Sequence, residues 1–245
     1  MTPLAIDLFC GLGGWTEGLL AEGFEVVGFD IERHDYGTGG YPAQLVLQDA
    51  LTIHGKQFKD AALIVCSPPC QEFSYMAMPW SKAKQKRQEY LSGERDRKQL
   101  TALFDACFRI QREAIEAAGH FIPMVVENVR GAQEWVGRSR WNYGSFHLWG
   151  DVPALMPLTR AHPTKTRGHT NKRDGHPHTK RLTNPCEFSG VKFPGHSGPD
   201  WFDQGPASHG SKSSGRKAAS AMIAKIPLPL SRHIARYWKP TGEPA

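Results

Sequence analysis

Four short apolar runs, each stopped by a turn, constrain this chain more than any other feature. Leu4 to Phe9 runs into the glycine-rich Cys10 to Gly14, and Glu25 to Phe29 ends at Asp30. Ala61 to Cys66 stops at Ser67-Pro68-Pro69, and Pro123 to Val126 leads into Glu127-Asn128-Val129. The runs are continuous rather than alternating, as expected of parallel strands covered on both faces. Helical patterns lie between them. Trp15 to Glu22 is closed by Gly23, and Thr101 to Ala118 sets Leu103, Cys107, Ile110, Ala114 and Ala118 at helical spacing. Strand and helix in alternation predict an α/β fold: a Rossmann-like, doubly wound, mostly parallel sheet.

The 245 residues suffice for one good-sized domain with a small attachment. An apolar fraction of 40% excludes an extended disordered chain, and no apolar run approaches the roughly 18–20 residues of a membrane span. Asp7 stands where a signal peptide would be apolar, and five cysteines without regular spacing suit reduced thiols and a cytoplasmic location.

Charge divides the chain. Residues 1–159 carry 15 Lys/Arg against 19 Asp/Glu, whereas residues 160–217 carry 11 against 4. That second stretch has 8 Gly, 6 Pro and only 9 apolar residues, too few to bury a core of its own. The reading is a body over 1–159, a basic loop-rich segment over 160–217, and a helical segment over 218–245 that packs back on the body. A second basic run, Lys82 to Lys98, reads as a polar helix or a loop. The asymmetry suits a polyanionic partner, or a solvated basic surface.

Three of the turns carry candidate chemistry. Glycines after the first strand let a ligand approach the backbone, and Asp30, about 20 residues on, can take both hydroxyls of a ribose. Together they suggest a nucleoside-containing cofactor, or an ordinary α/β turn. Cys70 sits on a proline-stiffened turn at the carboxyl edge of the sheet, where it is a candidate nucleophile or a buried structural thiol. Glu127 emerges at a strand end as a proton donor or a surface carboxylate.

The stretches DLFCGLGGW, SPPCQEFS and ENV, in this order, resemble the motifs of the C5-cytosine DNA methyltransferase family. Leu103-Phe104-Asp105 with Arg109 is similar to the helix that precedes Glu-Asn-Val in that family. Gln48-Asp49-Ala50 is similar to its adenine-binding acid, and Ala224 to Leu230 to its last motif. The resemblance implies S-adenosylmethionine as cofactor. It assigns attack on cytosine C6 to Cys70, within Pro-Cys-Gln with Gln71, and contact with N3 and the exocyclic amine to Glu127, beside Asn128. Arg138 or Arg140, in the nearest match to Gln-x-Arg-x-Arg, would reach the cytosine O2. On the cofactor side it implies Asp7, Phe9, Gly11, Gly13 and Gly14 in the first turn. It adds Asp30 and Ile31 at the ribose, Asp49 and Ala50 at the adenine, and Pro68 and Leu103 beside them. Ile223 and Ala224 replace the Gly-Asn of the last motif, and Lys225 is a charge not expected there.

The resemblance also implies double-stranded DNA as partner; a monomer is expected, with no membrane, for want of a long apolar run, and no metal, for want of a ligand spacing. The target base must leave the duplex to expose C6. Phe73, Tyr75, Met76 and Trp80 follow the cysteine and offer groups to close over the base, or they pack the loop. The basic segment 160–217 and Lys82 to Lys98 would neutralise phosphates. Six histidines and Cys186 crowd that segment at irregular gaps that do not resemble a zinc site. Compactness suits a phage or prophage enzyme. Three other readings remain: an RNA enzyme of the same chemistry, a silent nucleic-acid-binding relative, and a nicotinamide-dependent oxidoreductase.

Overall fold

The computed structural model describes residues 2–37, 39–73, 80–156 and 213–241. The segment read as nucleic-acid-binding, the histidine cluster, Cys186, Tyr75 and Met76 therefore lie outside the described residues, apart from residues 213–217.

Strands β1 (Leu4–Leu8), β2 (Glu25–Asp30), β3 (Gln44–Leu47), β4 (Ala61–Cys66), β5 (Met124–Asn128), β6 (Trp141–Tyr143) and β7 (Phe146–Gly150) form one sheet in the order β3-β2-β1-β4-β5-β7-β6. The first five run parallel, and β7 runs antiparallel to both β5 and β6. The expected mostly parallel α/β sheet is what the chain forms.

Side-chain alternation splits the core between the faces. Ile6, Leu8, Ile64, Cys66, Met124 and Val126 pack against helix α3 (Arg97–Ala118), which presents Phe104, Cys107, Ile110 and Ala114. Ala5, Leu63, Val65, Val125 and Leu148 face α1 (Gly14–Ala21) and α6 (Leu228–Trp238). Burying one such aliphatic side chain contributes about 1.5–3 kcal/mol.

α1 and α6 approach closely because α1 lacks side chains where they meet. A Cβ on Gly14 would lie 2.3 Å from the backbone nitrogen of Ile226, and one on Gly18 would lie 2.1 Å from Ser231 Oγ. Arg232 and Arg236 of α6 both pair with Glu22 at the end of α1 and hold its carboxyl below the usual range.

α3 begins four residues before the expected Thr101, because Asp96 caps it by accepting from the Lys98 N–H. The basic run resolves into α2 (Trp80–Leu91), a turn, and the start of α3. Helices α4 (Gln133–Val136) and α5 (Ser214–Ala224) complete the described set.

Candidate active site

Five parallel strands end on one edge, in register: Leu8 stands beside Phe29 and Cys66, Cys66 beside Val126, and Asp30 beside Leu47. β1 connects outward to β2 and β3, while β4 lies on its other side. The crevice where the connection direction reverses is where such sheets bind ligands. The turns after β1, β2, β3, β4 and β5 therefore share one edge.

The turn after β1 is built from left-handed backbone. Phe9 has φ 58°, Gly11 φ 50° and Gly13 φ 75°. The Cys10 N–H donates to the Phe29 carbonyl at 3.1 Å, and the Gly13 N–H to the Cys10 carbonyl at 2.8 Å. Asp30 secures the turn from β2: its Oδ2 accepts the Gly11 N–H at 2.9 Å and its Oδ1 the Ile31 N–H at 2.8 Å. The glycines divide their work. A Cβ on Gly11 would meet nothing within 4 Å, whereas one on Gly13 would strike Pro42 at 2.6 Å. Gly11 thus faces open ground, Gly13 lets the β2–β3 loop close in, and Gly14 serves the packing on Ile226.

Asp7 lies beneath this turn, wholly buried. Its Oδ2 accepts the Thr16 hydroxyl at 2.7 Å, and its Oδ1 has no partner. Burial pushes its carboxyl up to about 7, against the Thr16 hydrogen bond and with help from the nearby Asp30 charge.

Asp49 follows β3 and accepts the Leu51 N–H through Oδ1 at 2.9 Å. Its segment is clamped from α3 by Arg109, which donates to the carbonyls of Ile53 at 2.7 Å and of Ala50 and Leu51 at 3.3 Å each. Glu113 pairs with Arg109 and accepts the Gly55 N–H at 2.6 Å. Ala50 is buried, Leu103 is half-buried on α3, and Ile31 is exposed. An open glycine edge flanked by Asp30 and Asp49 is a donor and acceptor set that fits a nucleoside.

The turn after β4 is held differently. The Ser67 N–H donates to the Leu8 carbonyl at 3.1 Å, and Ser67 Oγ accepts from Trp15 Nε1 at 3.0 Å. Asn128 reaches across from β5: its Nδ2 donates to the buried Pro68 carbonyl at 2.9 Å. Cys70 is half-buried and Gln71 exposed. Glu72 pairs with Lys86 and accepts the Tyr90 hydroxyl, tying the turn to α2. Burial, the largest single influence, would raise the Glu72 carboxyl, but Lys86, the Tyr90 hydroxyl and Arg95 together hold it below its usual range.

Glu127 is buried on β5, opposite Leu148, one residue before the clamp Asn128. The same β5 end therefore carries both the buried carboxylate and the hold on the cysteine turn.

Of the two readings of Phe73, packing is the one the structure supports. Phe73 is only 3% exposed and packs in the core, so it does not close over a base. Arg138 and Arg140 are exposed ahead of β6. Trp141 pairs with Leu148, which pairs with Glu127, so these three share a face. The loop is fixed there by Gln133, which accepts from the Ser139 N–H and hydroxyl, and by Ser139 against His147 Nδ1 at 2.9 Å.

Cys66, unlike Cys70, is wholly buried, and burial beside Cys107 pushes its thiol well up. Among the described residues no three His, Cys, Asp or Glu groups converge as a metal site, and no helix is long and apolar enough to cross a membrane.

The sequence model of the C-5 cytosine-specific DNA methylase family matches residues 4–134. No curated protein matches the chain at a significant level. Among solved structures, the chain is similar to a DNA modification methyltransferase encoded within an E. coli prophage, with 21% identity and a TM-score of 0.34. That match covers 56% of this chain and 35% of the prophage protein, about a third of its length. The Entamoeba histolytica methyltransferase EhMeth matches at 11% identity and TM-score 0.47, over 97% of this chain and 98% of its own. S. pombe Dnmt2 methyltransferase matches at 12% and 0.47, over 99% and 100%.

Proposed function

The chain belongs to the C-5 cytosine-specific DNA methylase family, and from that premise we propose that it transfers a methyl group from S-adenosylmethionine to C5 of cytosine in duplex DNA. The observation that carries this reading is the bond from Asn128 Nδ2 to the Pro68 carbonyl. It ties the turn bearing Cys70 to the strand end bearing Glu127, beside the glycine turn and Asp30.

Cytosine C5 is a poor nucleophile until electron density is pushed onto it. The Cys70 thiolate adds to C6, forming the S–C6 bond and turning C5 into an enamine carbon. Glu127, buried at the strand end, hydrogen-bonds N3 and the exocyclic amine as negative charge gathers on the ring. The cofactor, when bound, supplies a methyl group on a sulfonium. Loss of the C5 proton to a base then re-forms the C5–C6 double bond and expels Cys70 as thiolate. Asn128 holds the turn so that Cys70 keeps its aim, and Gln71 leaves the same turn on its exposed side.

On the cofactor side, Asp30 would accept from the ribose hydroxyls while it holds Gly11. Asp49 would accept from the adenine amine, with Phe9, Ala50 and Leu103 beside the ring. Basic residues of 160–217 and of α2 are proposed to meet the phosphates. Arg138 and Arg140 are better suited to that outer contact than to the cytosine O2. The proposed setting is inside the cell, where DNA is met.

The test is transfer of labelled methyl from S-adenosylmethionine to duplex DNA and to tRNA, followed by base analysis. 5-Methylcytosine in DNA is expected. Label in tRNA alone would move the substrate to RNA, and no label in either would favour a silent relative.

A further inference from the structure

The turn that carries Cys70 has a second anchor. Asn128 holds the Pro68 carbonyl, two residues before Cys70. Two residues after it, Glu72 pairs with Lys86 and accepts the Tyr90 hydroxyl at 3.1 Å, both from α2. The Phe73 N–H donates to the Cys70 carbonyl at 3.1 Å and closes the turn, with the Phe73 side chain buried in the core. Cys70 therefore stands midway between a hold from β5 and a hold from α2.

α2 is itself fastened to the chain that follows β5. Arg87 pairs with Glu134 of α4 at 2.6 Å. The Tyr90 and Trp135 rings meet edge to face with centroids 5.6 Å apart, and Arg97 lies over the Trp135 ring at 5.4 Å. The contacts close a ring: the chain runs from Asn128 into α4, α4 holds α2, α2 holds Glu72, and the turn returns through Cys70 and Pro68 to Asn128. Glu72 is exposed. An ion pair with one partner in solvent contributes little to stability, so this one is better explained by what it aims. We propose that Glu72 is a positioning residue for methyl transfer, fixing the Cys70 turn from the α2 side as Asn128 fixes it from β5. This rests on the reading of Cys70 as the nucleophile and adds a residue to it. With the turn held on both sides, the sulfur keeps one approach to C6 of a base whose ring is met by Glu127. A displacement of about 1 Å in such an approach can cost on the order of 10²-fold in rate. The rival is an ordinary surface pair that steadies α2 alone.

The two separate in the rate of adduct formation on duplex DNA carrying 5-fluorocytosine, followed in single turnover with DNA and S-adenosylmethionine saturating. Wild type is compared with Glu72→Gln, with Lys86→Met, and with the exchange Glu72→Lys plus Lys86→Glu. A melting curve confirms that each variant is folded, and titration with S-adenosylhomocysteine reports on the cofactor turn. The expected result is adduct formation about 10- to 100-fold slower in either single variant, with S-adenosylhomocysteine affinity unchanged. The exchanged pair should recover most of the lost rate, because it restores the tie with its charges reversed. Single variants that react at the wild-type rate would overturn the inference and leave a surface pair. So would an exchange as slow as the single variants, or a loss of cofactor affinity in step with the rate. If wild type forms no adduct, the reading of Cys70 itself fails and the inference falls with it.

Discussion

The turn after β1 and the turn after β4 leave neighbouring strands on the same edge, yet they are held by different means. The first is secured through its backbone, by the Phe29 carbonyl and by Asp30 on the Gly11 N–H, with left-handed residues that clear space beside Gly11. The second has a backbone bond too, from the Ser67 N–H to the Leu8 carbonyl, but adds holds on both a side chain and a carbonyl, by Trp15 on the Ser67 hydroxyl and Asn128 on Pro68, with prolines that stiffen it. A turn that must let a ligand approach sheds side chains. A turn that must aim one side chain is anchored on both sides of it.

Changes in the two turns should therefore separate cleanly. The largest effect is expected in the second. Cys70→Ser should lower methyl transfer on the order of 10³-fold or more, because a hydroxyl is a far poorer nucleophile than a thiolate. The dissociation constant for S-adenosylhomocysteine should not move, and titration beside a turnover assay checks both.

The next effect lies beneath the first turn. Asp7 has its folded pKa raised from 3.8 to about 7 by burial, so the native state holds a proton that the unfolded state has already lost across that window. Stability should fall as pH rises from about 4 to 7, by on the order of 4 kcal/mol for this group alone, since each pKa unit is worth about 1.36 kcal/mol. Asp7→Asn should remove that slope. Urea unfolding at pH 5 and pH 8 measures it, and equal slopes in the two proteins would deny Asp7 the role.

Asp30→Ala should weaken cofactor binding by about 1.5–3 kcal/mol, from lost bonds to a charged acceptor and a loosened Gly11. An unchanged affinity would shift the ribose contact, with Glu32 the nearest alternative acid. Asn128→Ala should cost about 1–3 kcal/mol of stability by stranding the Pro68 carbonyl. It should lower kcat with little change in cofactor affinity, and a drop in both would mean the two turns are not independent.

Much of this arrangement was legible before any coordinates. The apolar runs of β1, β2, β4 and β5 are continuous because both faces are covered, and each stops at residues with a turn chemistry. β3 is hard to read from sequence because Gln44–Leu47 is a short edge strand, half-covered, whose apolar run is only Leu45-Val46-Leu47. The β6–β7 hairpin was missed too, although the aromatic residues around Gly144, which has φ 61°, carry a hairpin signal.

Within the site, residue types and spacing pointed to Cys70, Glu127, Asp30 and Asp49. The clamps did not show, because they join residues far apart in sequence: Asn128 to Pro68, Arg109 to Ile53, and Lys225 to Glu17 across 208 positions. Lys225 looked out of place in its motif until the fold set it beside Glu17.

The central claim is that the second turn makes a covalent bond to cytosine C6. Duplex DNA carrying 5-fluorocytosine tests it directly, because fluorine at C5 blocks the proton loss that would expel Cys70. Incubated with S-adenosylmethionine and such DNA, wild-type protein should give a protein–DNA species that survives a denaturing gel, and Cys70→Ser should give none. If methyl transfer to ordinary DNA occurs but no trapped species forms, or if the serine variant traps equally well, the assignment of Cys70 is contradicted.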